Sequence, residues 1–165
     1  MSDSHETKGG TAAAGNGASF SLLCRAADVL CALPIEHVIE TMRLPAVEPL
    51  PDAPHFIAGL AIVRGAPLPV IDVARLFGKE SELPDRLVVA RVGQRRVGLA
   101  VDAVIGARVL PDEMLQRLPP LLRDASCEAV SDIGSLDGEL MVVLRAARIV
   151  PAEIFAILET ETAPS

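Results

Sequence analysis

Hydrophobic positions in this chain fall in short runs of strand length bounded by turn-forming residues, and rarely in a helical period. Ser19 to Arg25 and Val29 to Leu33 flank Ala26-Ala27-Asp28 and predict a first β-hairpin. Ile57 to Val63 and Leu68 to Val73 flank Arg64-Gly65-Ala66-Pro67, and predict a second. Glycine there opens a turn conformation closed to other residues, and proline presets another. Pro67 and Pro69 donate no backbone hydrogen bond, so this strand is expected to begin at an edge or rim. Arg86 to Val92 and Arg96 to Val101, around Gly93-Gln94-Arg95, predict a third hairpin. Ser131 to Leu136 and Leu140 to Leu144, around Asp137-Gly138-Glu139, predict a fourth.

The intervening segments are less regular. Between Pro34 and Arg43, Ile35, Val38, Ile39 and Met42 have helical spacing but include β-branched residues, which suggests one helical turn followed by a strand. Asp102 to Val109 repeats that ambiguous pattern. Leu44 to Pro54 holds four prolines and reads as a rigid connector leading to Phe56 as an anchor. Ala74 to Phe77 suggests a helical turn ended by Gly78, and Lys79 to Asp85 a charged loop. Pro111 to Cys127 reads as a longer loop broken at Pro119-Pro120. Ala152 to Glu159 reads as a closing helix with Ile154, Phe155 and Leu158 on its apolar side. Residues 1–18 are rich in small and polar residues and read as a loose tail, and 159–165 as a flexible one.

Parts of the pattern occur twice. Setting Gly65 on Gly138 places Leu68 on Met141, Val70 on Val143, Ile71 on Leu144 and Arg75 on Arg148. Leu33, Ile35, Val38, Ile39, Leu44 and Pro45 fall on Leu99, Val101, Val104, Ile105, Leu110 and Pro111 at one constant offset. Apolar strands resemble one another cheaply, but two matches in the same order favour a duplicated β unit.

Composition narrows the function. With 165 residues, half of them hydrophobic, the chain can bury a substantial core as one domain or two closely packed halves. A net charge of −7 and the lack of Trp and Tyr argue against nucleic-acid or anionic-lipid binding. No apolar run is long enough to span a membrane and the start is too polar for a signal peptide, so a cytoplasmic location and no membrane insertion are expected. Cys24, Cys31 and Cys127 form neither a disulfide framework nor a metal motif, and read as reduced, buried thiols. A tight turn at Ala27-Asp28 would set Cys24 opposite Cys31. Outside the tail only His37 and His55 are available as bases, and no phosphate loop or dinucleotide fingerprint is present. Asp72 and Asp102 read as turn or surface groups, so neither catalysis, cofactor nor metal is expected. Arg91, Arg95 and Arg96 form a basic cluster that reads as a solvated strand end, with anion binding the alternative. Arg64, a lone cation beside an otherwise uncharged hairpin tip, either meets a partner or ties down its own loop.

Taken in order, Ala32-Leu33-Pro34-Ile35, Val38-Ile39-Glu40, Gly59 to Gly65, Pro69-Val70-Ile71-Asp72-Val73 and Val97 to Asp102 resemble the CheW-like family of chemotaxis coupling proteins, over about Ser19 to Leu158. The resemblance implies a mainly β fold of two small five-stranded SH3-like β-barrels on a shared apolar core, with short helices. It also implies a non-enzymatic adaptor, located at membrane receptor arrays, that joins chemoreceptor cytoplasmic tips to the regulatory domain of the CheA histidine kinase. Receptor-facing positions carry over to Val38, Glu40, Gly59, Arg64 and Gly65. Val38 would supply apolar contact, Glu40 a charged contact, Gly59 close backbone approach, and Arg64 a forked donor for a carboxylate or helix carbonyl. Two departures stand out: Ile62 precedes the Val63-Arg64-Gly65 step where family members often carry Asn, and the position matching Asp72 is Arg145. The alternative reading is a small-ligand or catalytic β domain using the crevice between the halves, with Arg64 gripping an anion.

Overall fold

A computed structural model of the protein describes residues 18–80, 84–117, 129–145 and 156. Among these, the strands are β1 Ala18–Ala26, β2 Val29–Pro34, β3 Val38–Arg43, β4 Ile57–Val63, β5 Ala66–Asp72, β6 Arg86–Val92, β7 Arg95–Val101, β8 Ala103–Pro111, β9 Leu115–Arg117, β10 Val130–Leu136 and β11 Glu139–Leu144. One helical turn, α1, spans Val73–Leu76, and single 3-10 turns span Ile35–His37 and Asp112–Met114. The strands form a six-stranded sheet in the order β8-β1-β2-β11-β10-β9 and a five-stranded sheet in the order β3-β6-β7-β5-β4. The expected segments 1–17, the Pro119-Pro120 break, Cys127, the closing helix except for Ala156, and the tail 159–165 lie outside the described residues.

All four hairpins form, closing at Ala26↔Val29, Val63↔Ala66, Val92↔Arg95 and Leu136↔Glu139. Arg64-Gly65 and Asp137-Gly138 both take left-handed φ values, 55° and 79° in one turn and 52° and 81° in the other. Two successive left-handed residues give the turn whose twist matches that of its strands. The duplication reaches into the packing. Leu68 and Val70 fill the five-stranded sheet's own cluster while Met141 and Val143 fill that of the six-stranded sheet, and Ile71 and Leu144 both enter a third cluster shared by the sheets. Bulges recur too: those at Val38/Glu40 and Ile57/Gly59 have counterparts opposite Leu23/Cys24 and at Val130/Asp132.

Neither sheet is drawn from one stretch of chain. β3 follows β2 in sequence but pairs with β6, and its counterpart β8 follows β7 but pairs with β1. Each sheet thus combines the first two strands of one repeat with the later strands of the other. This explains why the central strands read as continuous apolar runs: β6 sends Leu87 and Val89 into its own sheet's cluster, and Val88 and Ala90 into the shared one.

Local details meet some expectations and depart from others. β5 begins at a rim, as its prolines require: Ala66 to Pro69 pair with β4 alone, and β7 joins only from Val70 onward. Counting from the closing pair, both prolines also take non-hydrogen-bonded positions opposite Ile62 and Leu60, so the ladder loses no donor. The helical turn expected near Asp102 is absent from the described residues there; a strand runs instead, and the 3-10 turn comes after it, within what read as a loop. Of the turn and surface roles expected for Asp72 it takes the turn one: it is 5% exposed and caps α1, accepting from the Arg75 amide at 3.3 Å. Gly78, with φ 74°, ends that turn through bonds from Gly78 N to Arg75 O and from Lys79 N to Ala74 O, both 2.9 Å. Cys24 lies opposite Cys31, as the tight turn requires, and both are buried free thiols.

Candidate functional site

The five positions singled out from the sequence all lie in the five-stranded sheet. Val38 and Glu40 are on β3, Gly59 is on β4, and Arg64 and Gly65 form the β4–β5 turn. β3 and β4 are the outermost strands of that sheet, so a flat sheet would hold them far apart. They meet instead. Arg64 Nη2 donates to Glu40 Oε1 at 2.6 Å and Nε donates to Oε2 at 3.1 Å, a fork on a fork. The connector supports the same curl, since Glu48 N donates to Leu60 O at 2.7 Å and Leu60 N to Glu48 O at 2.8 Å.

The bulge at Val38/Glu40 aims the carboxylate. Val38 lies opposite Ala90, whose side chain enters the shared core, whereas Glu40 lies opposite Val89, which faces the sheet's own cluster. In an unbroken strand both would share one face, and Glu40 would point into the shared core. The extra residue turns it to the opposite face, where Arg64 meets it. The hydrogen bonds from Arg64 hold the Glu40 carboxyl below its ordinary range and raise the guanidinium in turn. Both groups therefore stay charged. Arg64 is the outer partner, with 69% of its side chain exposed against 23% for Glu40. Two of its five N–H donors bind Glu40, and the others are presented at an exposed tip.

Gly59 needs no partner to explain it. Its φ is +146°, and a Cβ there would stand 2.0 Å from the Glu48 carbonyl oxygen, so the close approach that glycine permits is made by its own chain. Val38 is half-buried against the shared core, and Gly65 is exposed with open space around its α-carbon. Among the described residues no group of three His, Cys, Asp or Glu side chains is placed to hold a metal.

One feature escaped the sequence reading. Ile62 stands 66% exposed on β4, beside a depression of about 520 Å³ lined by Pro45, Ala46, Glu48, Leu60, Ile62 and Pro67. Its signal was available in the alternation after Gly59, where Ala61 and Val63 are the inward pair and Ile62 must point out. A second depression, about 240 Å³, lies at the matching place on the six-stranded sheet, where Leu140 is 67% exposed.

Comparison with known proteins sets this geometry in context. The CheW-like domain family matches residues 21–153. The chain is 34% identical over 117 residues to Protein FrzA of Myxococcus xanthus, covering 69% of this chain and 72% of the relative. It is 32% identical over 108 residues to the chemotaxis protein CheW of Rhizobium meliloti, covering 64% and 70%. In fold it resembles the crystal structure of the scaffolding protein TtCheW from Thermoanaerobacter tengcongensis, with a TM-score of 0.67 at 24% identity, over 77% of this chain and 88% of that one.

Proposed function

The chain belongs to the CheW-like domain family, and from that membership we propose that it is a non-enzymatic adaptor coupling chemoreceptor cytoplasmic tips to the CheA histidine kinase. The observation that carries the receptor side is the Glu40–Arg64 pair. An exposed ion pair adds little to folding, so its bidentate geometry, with Glu40 aimed by a bulge, is better suited to presenting a guanidinium edge at a fixed place. Arg64, Glu40, Gly65 and the exposed edge of Val38 form the proposed receptor face. Gly59 contributes by holding the connector beneath it rather than by touching the receptor. The kinase side falls to the apolar depressions beside Ile62 and Leu140, whose exposed aliphatic groups suit a partner's apolar surface. Such an adaptor works in the cytoplasm at receptor arrays; among the described residues no helix is long and apolar enough to cross a membrane.

The test is co-sedimentation of the protein with receptor cytoplasmic fragments and kinase. The unaltered protein should be retained by both. Arg64→Ala should weaken retention by receptor about tenfold while its melting transition stays in place, as expected for an exposed, charge-assisted contact. Loss of folding in Arg64→Ala would make the residue structural. Failure of the unaltered protein to bind either partner would overturn the adaptor reading.

A further inference from the structure

Between the two sheets, on the side where β2 ends, lies a cleft of about 320 Å³, within the range of small-ligand sites. His37 and the β6–β7 tip with Arg91 and Gly93 form one wall; Ser131, Asp132 and Arg145, from β10 and the end of β11, form the other. In a chain of net charge −7, this cleft gathers two guanidinium groups and an imidazole against one carboxylate. That carboxylate, Asp132, accepts from Ser131 Oγ at 2.9 Å. Neither arginine has an ion-pair partner among the described residues. Arg145 is held at its backbone, where its amide donates to Ala129 O at 2.6 Å.

The duplication shows what such a place accommodates. At the offset that sets Leu33 on Leu99, Arg25 falls on Arg91, Ala27 on Gly93 and Glu36 on Asp102. Around the first hairpin tip the protein supplies its own carboxylates. Asp102 Oδ2 accepts from the Ala27 amide at 2.9 Å, and Glu139 takes Arg25 in a forked pair at 2.5 and 3.0 Å. Around the second tip neither contact is repeated, although Glu36 stands where Asp102 does. Glu36 lies instead 3.9 Å from His37, and the counterpart of Glu139 is Ala66. Gly93 keeps the turn conformation of Ala27, with φ 61° against 54°, so the second tip reproduces the amide and arginine arrangement without the acid contacts that answer it at the first. Arg145, standing where the first repeat has the buried carboxylate Asp72, adds another cation.

We propose that this cleft is a binding site for a carboxylate group, taken between Arg91, Arg145 and the Gly93 turn as Asp102 and Glu139 are taken by the first hairpin. The carboxylate comes either from a free dicarboxylate or from an acidic side chain of a protein, and the site is independent of the adaptor reading. The experiment is a titration of the folded protein followed by amide NMR at Gly93 and Ser131. The probes are acetate, succinate, inorganic phosphate, a capped glutamate peptide and the same peptide carrying glutamine. Saturable shifts are expected with the carboxylates, and the Arg91→Ala/Arg145→Ala variant should bind at least about tenfold more weakly, with an unchanged melting transition because both side chains are exposed. Succinate as the tightest probe identifies a free ligand. The glutamate peptide as the tightest, with its glutamine form silent, identifies a protein side chain. The proposal is overturned if no carboxylate saturates below about 50 mM, if phosphate or the glutamine peptide binds as well, or if the double variant binds unchanged.

Discussion

Glu40 and Arg64, 24 residues apart in sequence, show how little an ion pair's position follows from its neighbours along the chain. The fork needed a bulge to turn Glu40 and a left-handed Arg64 to start the return strand, and neither is a property of the two charges. Their pairing is electrostatically ordinary, and acid removes it: its contribution is present above the ordinary carboxylate range and is lost as pH falls through the depressed value of Glu40. The buried thiols behave in the opposite sense. Desolvation pushes Cys24 and Cys31 from an ordinary value of 9.0 up to about 12, with Cys24 adding to the shift at Cys31. Between those values the unfolded chain has released protons that the native chain still holds. Stability from these thiols is therefore intact below about pH 9 and declines as pH rises toward 12. The urea midpoint should fall across that window, and fall less in Cys24→Ala/Cys31→Ala; equal slopes in the two proteins would contradict the burial. Native protein at neutral pH should likewise resist alkylation that unfolded protein accepts.

At the scale of elements, β4 and the connector before it depend on one glycine. Gly59→Ala brings a Cβ to within 2.0 Å of the Glu48 oxygen and demands a φ of +146° that alanine avoids. Relief requires the connector to lift, losing both Glu48–Leu60 hydrogen bonds. The expected loss of stability is about 2–4 kcal/mol, read from denaturant midpoints, with faster amide exchange at Glu48 and Leu60; a variant of unchanged midpoint would mean that the connector accommodates the methyl. Gly59 was visible in the sequence as a glycine inside a strand, but its neighbour was not, because Glu48 reaches it through an irregular segment with no period. The same division runs through the fold. The hairpins were legible because turn chemistry and apolar runs lie side by side in the chain. The repeat was legible because Leu68, Val70 and Ile71 recur with Met141, Val143 and Leu144. Strand exchange was not, since β3 reads identically whether it pairs with β2 or β6. At the candidate site the residue types were legible through family resemblance and the outward turn of Ile62 through the alternation after Gly59, whereas the intramolecular contact of Arg64 depended on a bulge at Val38/Glu40 that no single-strand pattern marks.

The molecule as a whole is held by the cluster between the sheets more than by either sheet's own interior. Leu22, Cys24, Cys31 and Leu33 from one sheet meet Ile71, Val88, Val97 and Leu99 from the other, and β3 and β8 cross between the sheets on either side of this contact. Two units tied in this way should not unfold one at a time, because removing either sheet exposes the shared cluster, and each sheet is built from strands of both repeats. Ile71 tests this directly. It is fully buried, its strand joins β4 on one side and β7 on the other, and its partner across β4 is Ile57, which also enters the shared cluster. Ile71→Asp places an uncompensated carboxylate there and should cost about 4 kcal/mol or more. Ile71→Val, which removes a single methylene, should cost only about 1 kcal/mol. The informative measurement is hydrogen exchange resolved by strand. Protection should fall in β1 and β2 of the distant sheet as far as in β6 and β7, and unfolding should remain one transition. If β1 and β2 kept their protection while β6 and β7 lost theirs, the sheets would be separately stable units, and an adaptor built from them would flex between its partner-binding faces instead of holding them at a fixed distance.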